Sequence, residues 1–398
     1  MSKIITKNIT WVGKVDWELT MFHGNELSTK RGSSYNAYLV RGLAKTVLLD
    51  TVWGPYDSEF VSRLKEEVPL DQIDAIIMQH NETDHSGALV ELMREIPDTP
   101  IYCTAKGEAI LRGHYHRDWN YVNVKTGDVL ELGGDERLTF IEAPMLHWPD
   151  TMFTYYNGEG GILFSNDGFG QHYASENLFN DEVPECEMMY EALKYYANIL
   201  STYSPMVSRK VKEILGMNLP LAMICPSHGV IWRRNPEQIV EKYLQWSDAY
   251  QENQVTIVYD TMWNSTRLMA EAIARGIKAA SPDTTVKIFN AAKEDKNDIL
   301  TEVFRSKAVL VGSPTINYGY SYAIAGILEM LRGLRLKKKK AAAFGSYGWS
   351  GEGVKLMSAA LSEAGLEVAD EGCRTLWVPD DKALKDAEEY GKAFAGKL

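Results

Sequence analysis

The stretch Met78-Gln79-His80-Asn81-Glu82-Thr83-Asp84-His85-Ser86-Gly87 holds four side chains able to ligate a metal within the six positions 80–85. Two imidazoles and two carboxylates this close repel one another, or lose solvation, unless a cation compensates them. The cluster therefore reads as a metal site in preference to a set of hydrogen-bonded structural residues. His80, Glu82 and Asp84 alternate and would point one way along an extended loop, with His85 beside them. Three more candidate ligands each follow a strand-like run: His147 after Phe140–Leu146, Asp167 after Ile162–Asn166, and His228 after Ile224–Ser227. Singly, Asp167 could cap a turn and His228 could be a core imidazole. Together they recur at strand ends, where loops converge on one rim of a sheet.

These residues need a frame. The apolar run Ala75-Ile76-Ile77-Met78 predicts a buried strand, and Ser86-Gly87-Ala88 opens a helical pattern through Leu89–Met93. The cluster thus lies on a loop leaving a strand and entering a helix. Before it, Ile9–Gly13, Tyr38–Val40 and Thr46–Asp50 suggest a meander of strands, and Ser58–Leu64 has helical spacing with Phe60, Val61 and Leu64 on one face. After it come a helix near 87–95, a strand at 101–104, a helix near 105–113, strands at 138–141 and 161–165, a broken helical stretch at 183–215, and a strand at 222–225. Strand runs at both ends with helices between them predict two sheets covered by helices.

At 398 residues the chain suits two domains. Its 45% hydrophobic and 24% charged residues are those of a globular protein, and no apolar run approaches the roughly 20 residues that span a bilayer. The first residues lack a long apolar segment, so a secretion signal is not expected and the cytoplasm is. A formal charge of −12 argues against nonspecific nucleic-acid binding. The four cysteines are scattered, with no Cys-x-x-Cys pair for a thiolate metal site, and suit a reducing compartment. All eight histidines lie at or before residue 228, so imidazole chemistry belongs to the first part of the chain.

The polar run Gln251–Gln254, after an amphipathic helix at 239–246, reads as a linker, giving domains of 1–250 and 254–398. The second begins with a buried-strand run, Val255–Tyr259, then the loop Asp260-Thr261-Met262-Trp263-Asn264-Ser265-Thr266 and a helix through Met269–Ala274. Hydroxyls and backbone N–H groups at a helix start make an anion site, although Ser/Thr-rich starts are often N-caps alone. Two further loops follow strands: Gly312-Ser313-Pro314-Thr315-Ile316-Asn317, and Gly345-Ser346-Tyr347-Gly348-Trp349-Ser350-Gly351. Lys337–Lys340 reads as a solvated turn.

The order His-x-Glu-x-Asp-His, then His, Asp and His, resembles the metallo-β-lactamase fold, an αββα sandwich with a two-metal site. Zinc hydrolases of that fold carry His where Glu82 stands. A carboxylate there makes a harder, more oxygen-rich site. With Met145–Asp150, Asn166–His172 and Tyr195–Asn198, the chain resembles the flavodiiron proteins. The resemblance implies that His80, Glu82 and His147 hold one iron. Asp84 and His228 would hold the other, and Asp167 would bridge the two. His85 is the candidate third ligand of the second iron; it ligates in some members and is displaced by water in others. His23 and Tyr195 match positions lining the substrate pocket, where they would stabilise a bound intermediate or relay protons. His172 is a further neighbour, whereas His114 and His116 read as surface residues.

The three later loops resemble a flavodoxin, a doubly wound parallel sheet. The resemblance implies FMN held by Thr261, Met262, Trp263, Asn264, Ser265, Thr266, Pro314, Thr315, Ile316, Asn317 and Ser346–Gly351. Asn264 stands where flavodoxins often have Gly, and Asn tolerates left-handed backbone. The loop Asn317-Tyr318-Gly319-Tyr320-Ser321-Tyr322 departs from the family's Asn-then-Pro turn, and its aromatics would stack on flavin or pack at a subunit interface. The resemblance further implies reduction of O2 to water or of NO to nitrous oxide, a head-to-tail homodimer or dimer of dimers, and a separate rubredoxin-type donor, since no rubredoxin module follows in the sequence. Two other classes are a zinc hydrolase with a flavodoxin-like regulatory domain, disfavoured by Glu82, and an electron carrier with a vestigial metal domain, disfavoured by the full ligand set.

Overall fold

A computed structural model describes residues 2–398. The chain divides into two compact units, Met1–Tyr195 with Tyr203–Leu244, and Tyr196–Thr202 with Gln245–Leu398.

The first unit is an αββα sandwich. One sheet runs in chain order: β1 (Lys3–Ile4), β2 (Ile9–Trp11), β3 (Tyr38–Arg41), β4 (Thr46–Leu49), β5 (Ala75–Ile77), β6 (Ile101–Cys103) and β7 (Tyr121–Asn123). The first four pair antiparallel as a meander; β4 to β7 pair parallel, because helices cross between them. Those helices are α1 (Asp57–Glu67), α2 (Thr83–Ser86), α3 (Leu89–Glu95) and α4 (Ala105–Tyr115). The second sheet is β8 (Val129–Gly133), β9 (Glu136–Glu142), β10 (Met152–Tyr156), β11 (Ile162–Asn166) and β12 (Met223–Pro226), antiparallel except for the parallel β11–β12 pair. Alternate residues separate the layers. Val40, Val47, Leu49 and Ile77 meet Leu138, Phe140, Ile162 and Phe164 between the sheets. Leu39, Leu48 and Ile76 face the other way, onto Phe60, Leu64, Leu89 and Leu92 of α1 and α3. Strands β8 and β10 are not announced by the sequence pattern. All five residues of β10 are buried, which removes the polar–apolar alternation that marks a half-exposed strand.

Helix α5 (Glu185–Tyr195) passes into a π-helical turn, Tyr196–Leu200, and a 3-10 turn before α6 (Ser204–Gly216). The π turn belongs to the second unit by its contacts. Asn198 Nδ2 donates to Thr301 Oγ1 at 3.1 Å, Asn297 Nδ2 donates back to Asn198 Oδ1 at 3.0 Å, and the Tyr196 ring lies 5.7 Å from Phe304. Helix α7 (Glu237–Ser247) follows β12.

The second unit is a doubly wound sheet with the order β14-β13-β15-β16-β17, comprising β13 (Glu252–Tyr259), β14 (Thr285–Asn290), β15 (Ser306–Gly312), β16 (Lys340–Tyr347) and β17 (Glu367–Val368); β18 (Cys373–Leu376) also pairs with β16. All of its pairings are parallel. Helices α8 (Ser265–Ala280), α9 (Lys296–Arg305), α10 (Tyr322–Leu334), α11 (Gly353–Glu363) and α12 (Asp381–Ala395) flank it. Glu252–Gln254, expected as linker, are the first residues of β13. Their polarity is absorbed locally: Gln254 Nε2 donates to Glu302 Oε2 at 2.8 Å and Ser306 Oγ at 3.1 Å, and Arg305 bonds both Glu252 oxygens.

Lys339 also departs from expectation. Lys337 and Lys338 are exposed, but Lys339 is 2% exposed, and its Nζ donates to the carbonyls of Tyr250, Phe304 and Ser306 at 2.9, 2.7 and 2.6 Å. Burial pushes its pKa down to about 7. Three carbonyls, however, match the three N–H bonds of an ammonium, and two of them lie at the end of α9, where cations are favoured. Replacing Lys339 by Met should leave these carbonyls unpaired and cost about 2–4 kcal/mol. Chemical denaturation followed by a probe in this unit checks it; an unchanged midpoint would refute the clamp.

Candidate metal centre and flavin cleft

The cluster begins where β5 ends. Only its first half is extended. Glu82 precedes α2, so Asp84 and His85 lie on one helical turn, not along an extended loop. That change of backbone splits the motif into two sets. Ligand atoms of His80, Glu82, His147 and Asp167 lie within 4.8 Å of one another, and so do those of Asp84, His85 and His228. Asp167 faces both. Its Oδ2 is 3.1 Å from His147 Nε2 and 3.6 Å from His80 Nε2, while its Oδ1 is 3.1 Å from His85 Nε2 and 3.5 Å from His228 Nε2.

Several of the candidate ligands are anchored on their far side. His80 Nδ1 donates to Asp150 Oδ1 at 3.2 Å, and Asp150 Oδ2 accepts from Asn81 N and Nδ2, both at 2.9 Å. His228 Nδ1 donates to the Ser34 carbonyl at 2.6 Å, and Ser227 Oγ donates to Asp167 Oδ1 at 2.7 Å. Such outer bonds fix the ring tautomer and aim the inner nitrogen at the metal. His85 lacks one: its Nδ1 has no hydrogen-bond partner among the described residues, although its carbonyl is held by Thr51 N and Oγ1. Asp50 ties the strand ends beneath the site, accepting from Gln79 N and Nε2 and from Asn166 Nδ2 at 2.8, 2.9 and 3.2 Å. Two glycines permit close approach. A Cβ on Gly87 would strike the backbone of Gly54, and one on Gly229, at φ 76°, would strike Gln171.

The electrostatics follow from burial and proximity. Burial opposes charge on Asp167, but the imidazoles of His85 and His147 hold its carboxyl well below the usual range. Glu82 is likewise held low against its burial by His147, His23 and His80. Burial opposes protonation of His80 and His85, yet Asp150 and Glu82 raise His80, and Asp84 and Asp167 raise His85 to about 9. A cation at this point would take over the compensation that the imidazoles give the carboxylates.

His23 and Tyr195 both adjoin the cluster. His23 Nε2 is 2.8 Å from Glu82 Oε1, and the buried Tyr195 ring lies 6.2 Å from His228. Burial, then Asp167, holds the Tyr195 phenol well above its ordinary value and hence protonated. His172 sits 5.0 Å from both the Tyr195 and His228 rings, with Nδ1 on Ser33 Oγ at 2.9 Å. His114 and His116 are exposed.

In the second unit a cleft of about 430 Å³ opens at the carboxyl ends of the strands. Of the expected residues, Met262, Trp263, Ser265, Pro314, Thr315, Asn317 and Ser346–Ser350 line it. Thr261, Asn264, Thr266, Ile316 and Gly351 are not among its walls. Thr266 instead places its hydroxyl 3.3 Å from Ser346 Oγ, and Asn264 takes φ 67° at the start of α8. Ile316 and Gly319 exchange backbone hydrogen bonds of 3.1 and 2.8 Å around Asn317 and Tyr318, both at positive φ, which makes a tight turn of the I′ kind. This turn sets Tyr318 on the cleft wall, 72% exposed. Trp377 and Val378 complete the lining and were not expected; the signal was there, since they follow the strand-like run Cys373–Leu376.

Residues 34–229 match the family described as ODP family beta lactamase, and residues 257–391 match flavodoxin. The anaerobic nitric oxide reductase flavorubredoxin of Escherichia coli strain K12 is 53% identical over 396 residues, which is 99% of this chain and 82% of that protein. Its counterpart from Vibrio vulnificus is 52% identical over 392 residues, 98% of this chain and 79% of that one. The rubredoxin oxygen:oxidoreductase from the anaerobe Desulfovibrio gigas has a TM-score of 0.95 at 34% identity, covering 100% of this chain and 98% of that chain. The flavodiiron protein from Giardia intestinalis has a TM-score of 0.94 at 32% identity, covering 100% and 96%. The chain belongs to the flavodiiron protein family.

The donor sets of this flavodiiron protein suit the groups its family name implies. Both oxygens of Asp84 and both ring nitrogens of His85 are buried with no hydrogen-bond partner among the described residues, and Asp84 Oδ2 lies 3.2 Å from the Nε2 atoms of both His85 and His228. Close approach without hydrogen-bond alignment is the arrangement of atoms aimed at a common centre, and oxygen-rich imidazole sets suit iron. On the loop leading to the cleft, Thr261 Oγ1 is buried without a partner among the described residues, and Asn264 does not cap α8, which leaves the N-terminal N–H groups of that helix for a phosphate. Asp150→Ala should weaken metal binding about 10–100-fold by freeing His80, with flavin content unchanged. Competition against a graded chelator measures it; undiminished affinity would show that His80 needs no outer anchor.

Proposed function

We propose that this flavodiiron protein reduces O2 to water, NO to nitrous oxide, or both. His80, Glu82 and His147 would hold one iron and Asp84 and His228, with His85, the other; Asp167 would serve both. The observation that carries this reading is Asp167, one oxygen of which faces each ligand set. Iron held there would supply a redox-active centre for a diatomic substrate, and FMN in the cleft would supply a carrier of one or two electrons. The residues named for the cleft bind that FMN, with Trp377 and Tyr318 added to its walls.

The remaining roles belong to the chain's own groups. Tyr195 offers a phenolic proton from a buried ring beside His228, and His23, at Glu82 Oε1, offers or takes one at the other side of the site. His85 has no outer anchor on its Nδ1 among the described residues. The names of the relatives support a rubredoxin-type electron donor. The working assembly is a head-to-tail homodimer or a dimer of dimers, in the cytoplasm; among the described residues no helix is long and apolar enough to cross a membrane. A zinc-hydrolase reading is disfavoured by Glu82, which supplies oxygen where that chemistry uses imidazole.

Anaerobically purified protein should contain about two irons and one FMN per chain, and should consume O2 or NO when supplied with reduced rubredoxin. Zinc alone in cells supplied with iron, with no gas consumption, would overturn the proposal. Asp167→Asn should deplete the metal pair while leaving flavin bound; two irons retained at full turnover would remove the bridge assignment.

A further inference from the structure

A chain of aromatic rings leaves the metal cluster on the side of His228. Tyr35 is fully buried, and its ring meets His228 edge-on at 6.1 Å. Behind it stand Trp53 at 6.1 Å and Tyr56 at 5.9 Å, themselves 6.1 Å apart. Trp53 is 37% exposed, so three rings in near contact join a candidate ligand to the surface. Both phenols share one proton acceptor. Asp16 Oδ2 accepts from Tyr56 at 2.8 Å and from Tyr35 at 3.4 Å, while its other oxygen is held by the backbone N–H groups of Glu18 and Leu19.

We infer that Tyr35, Trp53 and Tyr56 form a one-electron relay that discharges the metal centre to the surface when O2 reduction stalls for want of electrons. This rests on the oxygen-reductase reading. Neutral phenols and indoles give up electrons only to strong oxidants, so such a chain carries oxidising equivalents outward; it does not carry low-potential electrons inward. Both phenols donate to Asp16 Oδ2, so both start protonated. The step balances. Tyr35 gives one electron to the incompletely reduced centre, which gains it, and its phenolic proton passes to Asp16. Trp53 then gives one electron to the Tyr35 radical, which takes the proton back from Asp16. A low-molecular-weight thiol refills Trp53, losing an electron and a proton, and two such thiyl radicals combine as a disulfide. Tyr56, on the same carboxylate, is the alternative stop beside Trp53.

The test uses metal- and flavin-loaded protein given less dithionite than complete O2 reduction requires. It is then exposed to O2 with catalase and superoxide dismutase present and thiol absent. O2 uptake is recorded, and oxidised residues are located by peptide mass spectrometry. The relay predicts oxidised Trp53 and Tyr56 in the wild type. In Tyr35→Phe, iron content and initial O2 uptake are retained, and oxidation of both residues falls to the anaerobic background. In Trp53→Phe the damage collects on Tyr56. Added thiol suppresses the wild-type oxidation. O2 uptake with Trp53 oxidised equally in Tyr35→Phe, or with Trp53 untouched in the wild type, overturns the relay alone. Absence of O2 uptake by the wild type overturns the oxygen-reductase reading, and the relay with it.

Discussion

Three carboxylates and four imidazoles share one buried pocket, and the rest of the first unit is arranged around the difficulty of keeping them there. Buried charge without compensation costs several kcal/mol per ion. The ligand carboxylates and imidazoles offset one another in part, which is why Asp167 and Glu82 are held low and His80 and His85 high. What remains is compensated by outer contacts: Asp150 on His80, the Ser34 carbonyl on His228, Ser227 on Asp167. A metal pair would take over this balance, in a geometry the protein supplies.

That geometry comes from two sheets packed face to face. Ligands leave the ends of β5 and β11 and follow β12, and these ends are laced together across the sandwich. Asp50, at the end of β4, takes hydrogen bonds from both Gln79 and Asn166, each one residue before a ligand. Gln79 in turn accepts from Met152 N, Ser227 N donates to the Asn166 carbonyl, and Asn36 N to that of Ser227. A shift of one strand therefore moves ligands on both sheets. The apolar layer between the sheets fixes the distance over which this lacing works.

The second unit solves a milder problem. A flavin is large, flat and partly exposed, so its cleft is an open one of exposed aromatics: Trp263, Trp349 and Trp377 are 81%, 87% and 66% exposed. At the cleft loops the backbone takes left-handed conformations at Asn264, at the Asn317–Tyr318 pair and at Trp377. Left-handed geometry costs a residue such as Tyr roughly 1–2 kcal/mol relative to glycine. The reciprocal Ile316–Gly319 hydrogen bonds help to offset that cost and leave the Tyr318 ring at the cleft. Away from the cleft, Lys339 closes the end of α9 from within the sheet.

The sequence by itself determined the ligand types, their order and their places after strands, because buried strands and clustered donors leave local marks that need no partner. The same holds for the Ser/Thr-rich start of α8 and for the amphipathic helices. What it left undecided was pairwise and long-range. The split of the 80–85 motif into two sets required the turn of α2, which depends on Thr51 and Gly54 packing against it. Asp50 and Asp150 look like ordinary strand-end and turn acids in sequence; only the fold, setting Asp50 beside Asn166 and Asp150 beside His80, makes them supports. Strand β10 and Lys339 were hidden because burial on all sides erases periodicity, and a lysine run reads as solvated until three carbonyls are brought to one of its members. Local chemistry is written in the chain, whereas the approach of residues remote in sequence is decided by how the sheets pack.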